Sequence, residues 1–254
     1  MDIRCIINNK NVVLSGKEDE RLRDVLYRSG YNSVRDSDDG EGFAGSDTIV
    51  FNGKLKYSNL ILLYQAQGAE IRTAEGLLKG RELNYVQKAM ISAGIVQSAY
   101  NAPAAALILT WLLEQKPNPT KDEIKEVLSG IFIRDAGYEH YYLAVKLATE
   151  LRDYGEYKSE IAPSFRPKLN IIGKPCDKID GASLVSGEKV FVEDKVPQDA
   201  WCLHVLRSPF SHAYINSIDT SEAEKLDGVE AIVTAFNCPD IYYMQAGQGN
   251  PEPS

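Results

Sequence analysis

Short apolar runs separated by turn-forming residues predict a small α+β unit at the start of the chain. Residues 5–7 and 12–14 are β-prone runs on either side of Asn8-Asn9-Lys10, which is a typical hairpin signal. Residues 18–29 then place apolar side chains at helical spacing, and Gly30 follows as a C-terminal cap. The pattern predicts a hairpin followed by one helix.

A second hairpin follows the helix. Residues 48–51 and 54–57 flank Asn52-Gly53, the dipeptide that favours a type I′ turn. Residues 69–73 have the composition of a closing strand. Two hairpins around one helix predict a β-grasp, ferredoxin-like domain over residues 1–78.

The apolar period becomes helical from Leu83 onwards, and residues 79–152 are predicted to form a four-helix bundle. Asn101 is a candidate cap for the second of these helices, and residues 120–123 form a capping box for the third. The predicted helices occupy residues 83–91, the segment after Asn101, the segment after Thr120, and residues 137–151.

Residues 153–172 have few apolar side chains and two prolines, so they are predicted to be a linker. A mixed α/β unit is predicted after it, over residues 173–254. Its expected elements are strands at 189–192, 201–206 and 229–234 and a short helix at 220–226.

Charge and composition exclude several classes of function. The net charge of −8 disfavours nucleic acid and anionic membrane surfaces as partners. The longest apolar stretch, residues 103–113, is far shorter than a membrane span, and no secretory leader is visible at the start, so we expect a cytoplasmic protein. The four cysteines and three histidines show no metal-ligand spacing, which predicts reduced, structural thiols.

Motifs along nearly the whole chain resemble the xanthine dehydrogenase and aldehyde oxidase family of molybdenum hydroxylases, and the selenium-dependent xanthine dehydrogenase group within it. The resemblance implies an α+β architecture: a β-grasp ferredoxin-like domain, a four-helix bundle, and a partial α/β hammerhead in residues 173–254. The segments that carry it are DDGEGFAGSDTIVFNGKLKYSNL, IRTAEGL, VQSAYNAP, LSGIFIRDAGY and the later motifs GKP, LRSP and DGV.

In that family, cysteine thiolates hold two [2Fe–2S] clusters, and none of the matching positions here is cysteine. The first-cluster positions are Asp39, Ala44, Asp47 and Asn59, and the second-cluster positions are Ser98, Asn101, Ile133 and Asp135. Iron–sulfur clusters depend on thiolate ligands. We therefore expect no iron–sulfur cluster and no metal site in the chain, and hydrogen bonds of the polar replacements are expected to close the loops instead.

Gln97 is the one candidate cofactor contact, because the resemblance implies that a glutamine at this position touches the pterin of the molybdenum cofactor. An ordinary helix-start glutamine is the alternative. Asp36, Asp38 and Asp47 also fall at three positions of a calcium-loop frame, although Glu41 replaces the glycine of that frame, so a solvated acidic loop is the competing interpretation.

These features favour a non-catalytic portion or subunit of a purine-hydroxylating molybdenum enzyme. We expect no catalytic residue and no FAD, because the linker leaves no room for a flavin domain; molybdopterin is implied only for the complete enzyme. Expected partners are the molybdopterin-binding region and a separate iron–sulfur or flavin subunit for electron transfer. The alternative is a docking or assembly module that helps to join subunits or insert the cofactor.

Overall fold

The structure is a computed structural model that describes residues 1–37, 40–132, 134–159, 176–188, 191–192, 196–197 and 199–239. Two compact units divide the chain, Met1–Asp199 and Ala200–Ser254. Searching the described residues for membrane-spanning helices finds none of sufficient length and apolarity.

A five-stranded mixed sheet forms the first part of unit 1. Its strands, in the order β2-β1-β5-β3-β4, pair antiparallel except for β1 and β5, which are parallel. Asn8, Asn9 and Asn52 adopt positive φ in the two tight turns, so both predicted hairpins are confirmed. The strands are β1 (Asp2–Ile7), β2 (Lys10–Ser15), β3 (Thr48–Phe51), β4 (Lys54–Tyr57) and β5 (Glu70–Arg72).

The helix α1 (Leu22–Arg28) lies on this sheet and begins later than the predicted residue 18. The carboxylate of Glu20 accepts a hydrogen bond from Lys17 N at 3.1 Å and also binds the Arg28 guanidinium. These bonds hold residues 17–20 in a turn, so the helix begins only at Leu22. Burial of Leu22, Val25 and Leu26 against the strands closes the first apolar core.

Four helices follow and confirm the predicted helical part: α2 (Tyr85–Ser92), α3 (Ala102–Gln115), α4 (Lys121–Leu128) and α5 (Tyr138–Tyr154). Capping boxes at Asn84 and Thr120 start α2 and α4, and only the second was predicted. The predicted capping bond of Asn101 is wrong. Its backbone is already helical, and its side chain donates instead to the carbonyl of Ala44 at 3.0 Å.

A short helix that the sequence did not predict, α6 (Gly181–Ser186), packs against the helical core. Leu184 and Val185 are buried there, and the side chain of buried Gln87 donates to the carbonyl of Val185 at 3.3 Å. The chain turns after α6 at Gly187, where φ is +81°. Segment 176–188 is therefore part of unit 1.

In unit 2, no strand forms among the described residues 200–239; the one regular element there is a 3₁₀ turn, Ala223–Lys225. The predictions of strands at 201–206 and 229–234 are wrong, because a β-ladder needs a neighbouring strand and none forms among these described residues. The predicted helix at 220–226 shrinks to that turn. Part of the predicted strand at 189–192, residues 160–172 of the predicted linker and residues 173–175 at the start of the predicted α/β unit lie outside the described residues.

We predict that Gly187→Ala destabilises unit 1 by about 1–3 kcal/mol more than Gly155→Ala, since a clash adds to the backbone strain. Both glycines have positive φ after a helix, but a Cβ at Gly187 would lie 2.4 Å from the Cβ of Ser33, whereas no atom lies within 4 Å of one at Gly155. Urea denaturation of the two variants measures the difference, and equal losses would contradict the packing that we assign to Gly187.

Candidate functional site

Two loop regions of unit 1 contain the positions that the sequence singled out. The first comprises the loop before β3 and the 3₁₀ turn Ser58–Leu60 after β4. The second comprises the turn before α3 and the segment between α4 and α5. Asp39 and Ile133 lie outside the described residues, so the site is described from the other six positions and their neighbours.

Buried Asp47 organises the first region. Its Oδ2 atom accepts a hydrogen bond from the backbone N–H of Asn59 at 2.7 Å, and its carbonyl accepts one from the hydroxyl of Ser58 at 2.8 Å. Only 1% of Asp47 is exposed, so both bonds are shielded from water. Asp47 thereby fixes the 3₁₀ turn against the start of β3.

Asp36 joins the acidic loop to the same turn. Its Oδ1 atom accepts a bond from the backbone N–H of Gly40 at 3.0 Å and a longer one from the side-chain amide of Asn59 at 3.4 Å. The two described carboxylates of the proposed calcium frame therefore bind amide groups. A search of the described residues finds no group of three His, Cys, Asp or Glu residues that could hold a metal ion.

Ala44 is the point at which the two regions meet. Its carbonyl accepts bonds from the side chain of Asn101 at 3.0 Å and from the backbone N–H of Phe132 at 3.2 Å. The next residue, Gly45, has φ of +77°, and a Cβ there would lie 2.3 Å from the carbonyl oxygen of Gly130. Only glycine permits this approach of the first loop to the end of α4.

Asp135 gives the second region its electrostatic character. It accepts a hydrogen bond from the backbone N–H of Ser98 at 3.4 Å. Burial raises the pKa of the Asp135 carboxyl above its usual range, and the Ser98 bond offsets this only in part. Burial, with a smaller contribution from the Asp135 charge, raises the pKa of Tyr141 to about 12.

Gln97 lies beside this second region on the protein surface. Its side-chain amide nitrogen donates to the carbonyl of Gly94 at 2.9 Å, which holds the side chain against the end of α2. Gln97 directly precedes Ser98, one of the second-cluster positions.

Sequence reasoning missed Arg35, the residue that joins both regions to segment 176–188. Its buried guanidinium donates to the carbonyl of Glu188 at 3.0 Å and lies 4.8 Å from the ring centre of Phe191. The ring of Tyr100 packs against Phe191, and its centre lies 5.8 Å from the guanidinium carbon of Arg35. An isolated arginine in a polar loop has no periodicity, so no sequence signal marked it for burial.

The family models match in two places. The model described as "[2Fe-2S] binding domain" matches residues 73–146, and "Aldehyde oxidase and xanthine dehydrogenase, a/b hammerhead domain" matches residues 186–254.

Individual relatives extend this result. The probable hypoxanthine oxidase XdhD of Escherichia coli K12 is 46% identical over all 254 residues, which span 27% of that protein. The nicotinate dehydrogenase small FeS subunit of Eubacterium barkeri is 34% identical over 58% of this chain and 94% of its own. The crystal structure of the aldehyde oxidoreductase of Desulfovibrio desulfuricans is 26% identical with a TM-score of 0.70, covering 89% of this chain and 26% of that one.

These matches correct the expectation that the chain has no iron–sulfur cluster. A [2Fe–2S] binding domain and a relative that is an FeS subunit point to a [2Fe–2S] cofactor, so that expectation is wrong. The donor atoms that the structure places at the described cluster positions are carboxylate, amide and hydroxyl oxygens, with none at Ala44. This set does not fit the thiolates that usually bind such clusters.

We predict that Asp135→Asn stabilises the protein more at pH 7 than at pH 3.5. Because the pKa of Asp135 is raised in the folded protein, the unfolded chain loses this proton first as the pH rises. The free energy of unfolding therefore decreases as the pH rises from about 3.8, the ordinary pKa, to the raised pKa of the folded protein. Asparagine removes this loss. Asp153→Asn is the control, because Arg152 lowers the pKa of Asp153. Urea denaturation at both pH values measures the free energy of unfolding of each variant. The same pH dependence in both variants would contradict the raised pKa of Asp135.

The family follows from coverage as well as identity. The Eubacterium FeS subunit is matched over almost its whole length at more than 30% identity, and the match to XdhD runs through both the iron–sulfur and the hammerhead parts. Members of this group are multi-subunit or multi-domain enzymes that contain molybdopterin. The chain belongs to the xanthine dehydrogenase and aldehyde oxidase family of molybdenum hydroxylases.

Proposed function

We propose that this chain is the non-catalytic N-terminal portion of a xanthine dehydrogenase-like oxidoreductase. Its role is to join the ferredoxin-like and helical parts to the molybdopterin-binding part and to dock a separate electron-transfer subunit. The chain spans about a quarter of the length of its E. coli relative, so the oxidation itself belongs to the larger assembly.

One observation carries this proposal: the segment that leads from the helical part towards the hammerhead match is packed into unit 1. Leu184 and Val185 are buried in the helical core, and Arg35 binds the carbonyl of Glu188. A free tether would bury neither apolar side chains nor a guanidinium. The packing of segment 176–188 therefore favours a structural role for this segment over that of a flexible linker.

Gln97 is the proposed contact of this chain with the pterin. Its exposed position beside Ser98 leaves the side chain accessible to a group outside unit 1, and its bond to Gly94 limits its orientations. An amide can donate to and accept from the polar edge of a pterin.

The test is reconstitution of the assembly. We predict that the 254-residue chain, co-expressed with the part of E. coli XdhD that it does not match, copurifies as a stable complex that contains molybdenum and oxidises hypoxanthine with an artificial electron acceptor. Gln97→Ala should lower molybdenum retention, whereas Gln115→Ala at the far end of α3 should not.

Two other results would contradict the proposal. If the large polypeptide binds molybdenum and is equally active and stable alone, the chain is not a structural portion of the enzyme. If the chain binds only the molybdenum-free polypeptide and leaves after the metal is inserted, the chain is an assembly module instead.

A further inference from the structure

An apolar groove follows the outer edge of the sheet in unit 1. It has a volume of about 620 Å³, which is within the usual range of ligand sites. Leu55 and Lys56 face opposite sides of β4 and both line the groove, so the groove follows the edge of this strand. Its walls are apolar side chains from the turn after β4 and from α3 and α4, namely Leu60, Ile61, Ile108 and Val127. We call it the β4 groove.

The backbone of β4 offers hydrogen-bonding groups to this groove. β4 is the last strand of the described sheet, next to β3. Phe51 and Lys54 close a two-residue turn and exchange hydrogen bonds, so Lys56 also bonds to β3, whereas Leu55 points its N–H and C=O outwards. In the described part of the chain, neither of these two groups of Leu55 has a hydrogen-bond partner. The edge can therefore accept another strand.

Two lysines give this edge a positive charge. Lys54 and Lys56 are exposed on the face of β4 opposite Leu55, and neither forms an ion pair with a described residue. Lys56 is the one charged side chain among the described residues that line the groove. The whole chain carries a net charge of −8, so the positive edge is a local exception. Charge complementarity favours an acidic partner at this edge.

These features together specify an extended, acidic polypeptide as the occupant. A second copy of β4 would place lysines opposite lysines, which destabilises a strand pair. A small apolar molecule can fill the groove, but it leaves the N–H and C=O of Leu55 without partners. A strand with acidic side chains beside the lysines and an apolar side chain against the walls meets all three requirements.

We propose that β4 is a docking edge at which an extended, acidic segment of the separate electron-transfer subunit adds a strand to the sheet. The N–H and C=O of Leu55 bond to this strand, Lys54 and Lys56 pair with its carboxylates, and an apolar side chain of the strand fills the β4 groove. This inference rests on the proposed function, because it takes its partner from there. It adds the surface that binds this partner and the chemistry by which the surface recognises it.

Titration of the full 254-residue chain with a synthetic peptide tests the strand pairing. The probe is a short peptide of alternating glutamate and valine, and its control has the same sequence with N-methylated amides, which cannot donate to a ladder. The probe should bind at least tenfold more tightly than the control, because it alone forms the ladder bonds. Amide exchange of Leu55, followed by NMR, should slow at least tenfold, whereas that of Lys56 should change less than twofold. Equal binding of the two peptides, or no binding of the probe, would overturn the proposal.

Two matched pairs of variants test the groove residues. Lys56→Glu should weaken binding of the probe at least tenfold, whereas Lys10→Glu, at an exposed position of the other edge strand, β2, should change it less than twofold. Leu60→Ser removes an apolar wall and should also weaken binding, unlike Val13→Ser on β2; the two side chains are 62% and 58% exposed. Because all four side chains are exposed, none of these substitutions is expected to unfold the chain. Equal effects within either pair would contradict the proposed site.

The co-expressed complex with the unmatched part of E. coli XdhD separates this proposal from the proposed function. We expect the complex to bind the probe as tightly as the free chain does, which leaves the groove open to a separate subunit. If the complex forms but no longer binds the probe, the molybdopterin-binding polypeptide covers the groove, and the docking proposal fails while the proposed function stands. If no complex forms, both fail.

A second copy of the chain is the remaining occupant to test. The free chain should be monomeric in sedimentation experiments with and without the probe. A dimer that the probe dissociates would show that two copies pair through β4, and this result would overturn the assignment to an electron-transfer subunit.

Discussion

The close approach of the Gly187 backbone to Ser33 determines whether segment 176–188 can lie on unit 1. With no Cβ at this position, the chain after α6 reaches the loop that leads to β3, and Arg35 can close the contact through Glu188. Beside this contact, α6 buries Leu184 and Val185 in the helical core. The absence of a side chain at Gly187 thus allows segment 176–188 to contact both the loop before β3 and the helical core.

Hydrogen bonds of the chain itself hold the loops at the candidate site. Asp47 and Asn101 are buried and each makes a hydrogen bond to a backbone group of another segment, as most buried polar side chains do. Asp135 is different, since burial opposes its charge and one long bond from Ser98 compensates only in part. In the first region the carboxylate of Asp47 accepts a hydrogen bond from a backbone N–H, whereas in the second region the burial of Asp135 carries a free-energy cost that depends on pH.

Local signals in the sequence predicted most of unit 1. The Asn-rich turns and the capping box at Thr120 each fix a few adjacent backbone angles, so they can be interpreted without knowledge of the fold. The failures have a different origin. Asn101 is a residue type that often caps helices, but its side-chain amide donates instead to the carbonyl of Ala44, which is distant in sequence. Helix α6 has only six residues and too little periodicity to be recognised; its stability comes from Gln87 and the surrounding core.

The same limit explains the strands that were predicted but not formed in unit 2. Alternation of apolar and polar residues predicts a strand because such a pattern suits a half-buried sheet, and it says nothing about where the neighbouring strand comes from. Among the described residues 200–239 no strand lies beside residues 201–206, so the alternation there forms no ladder.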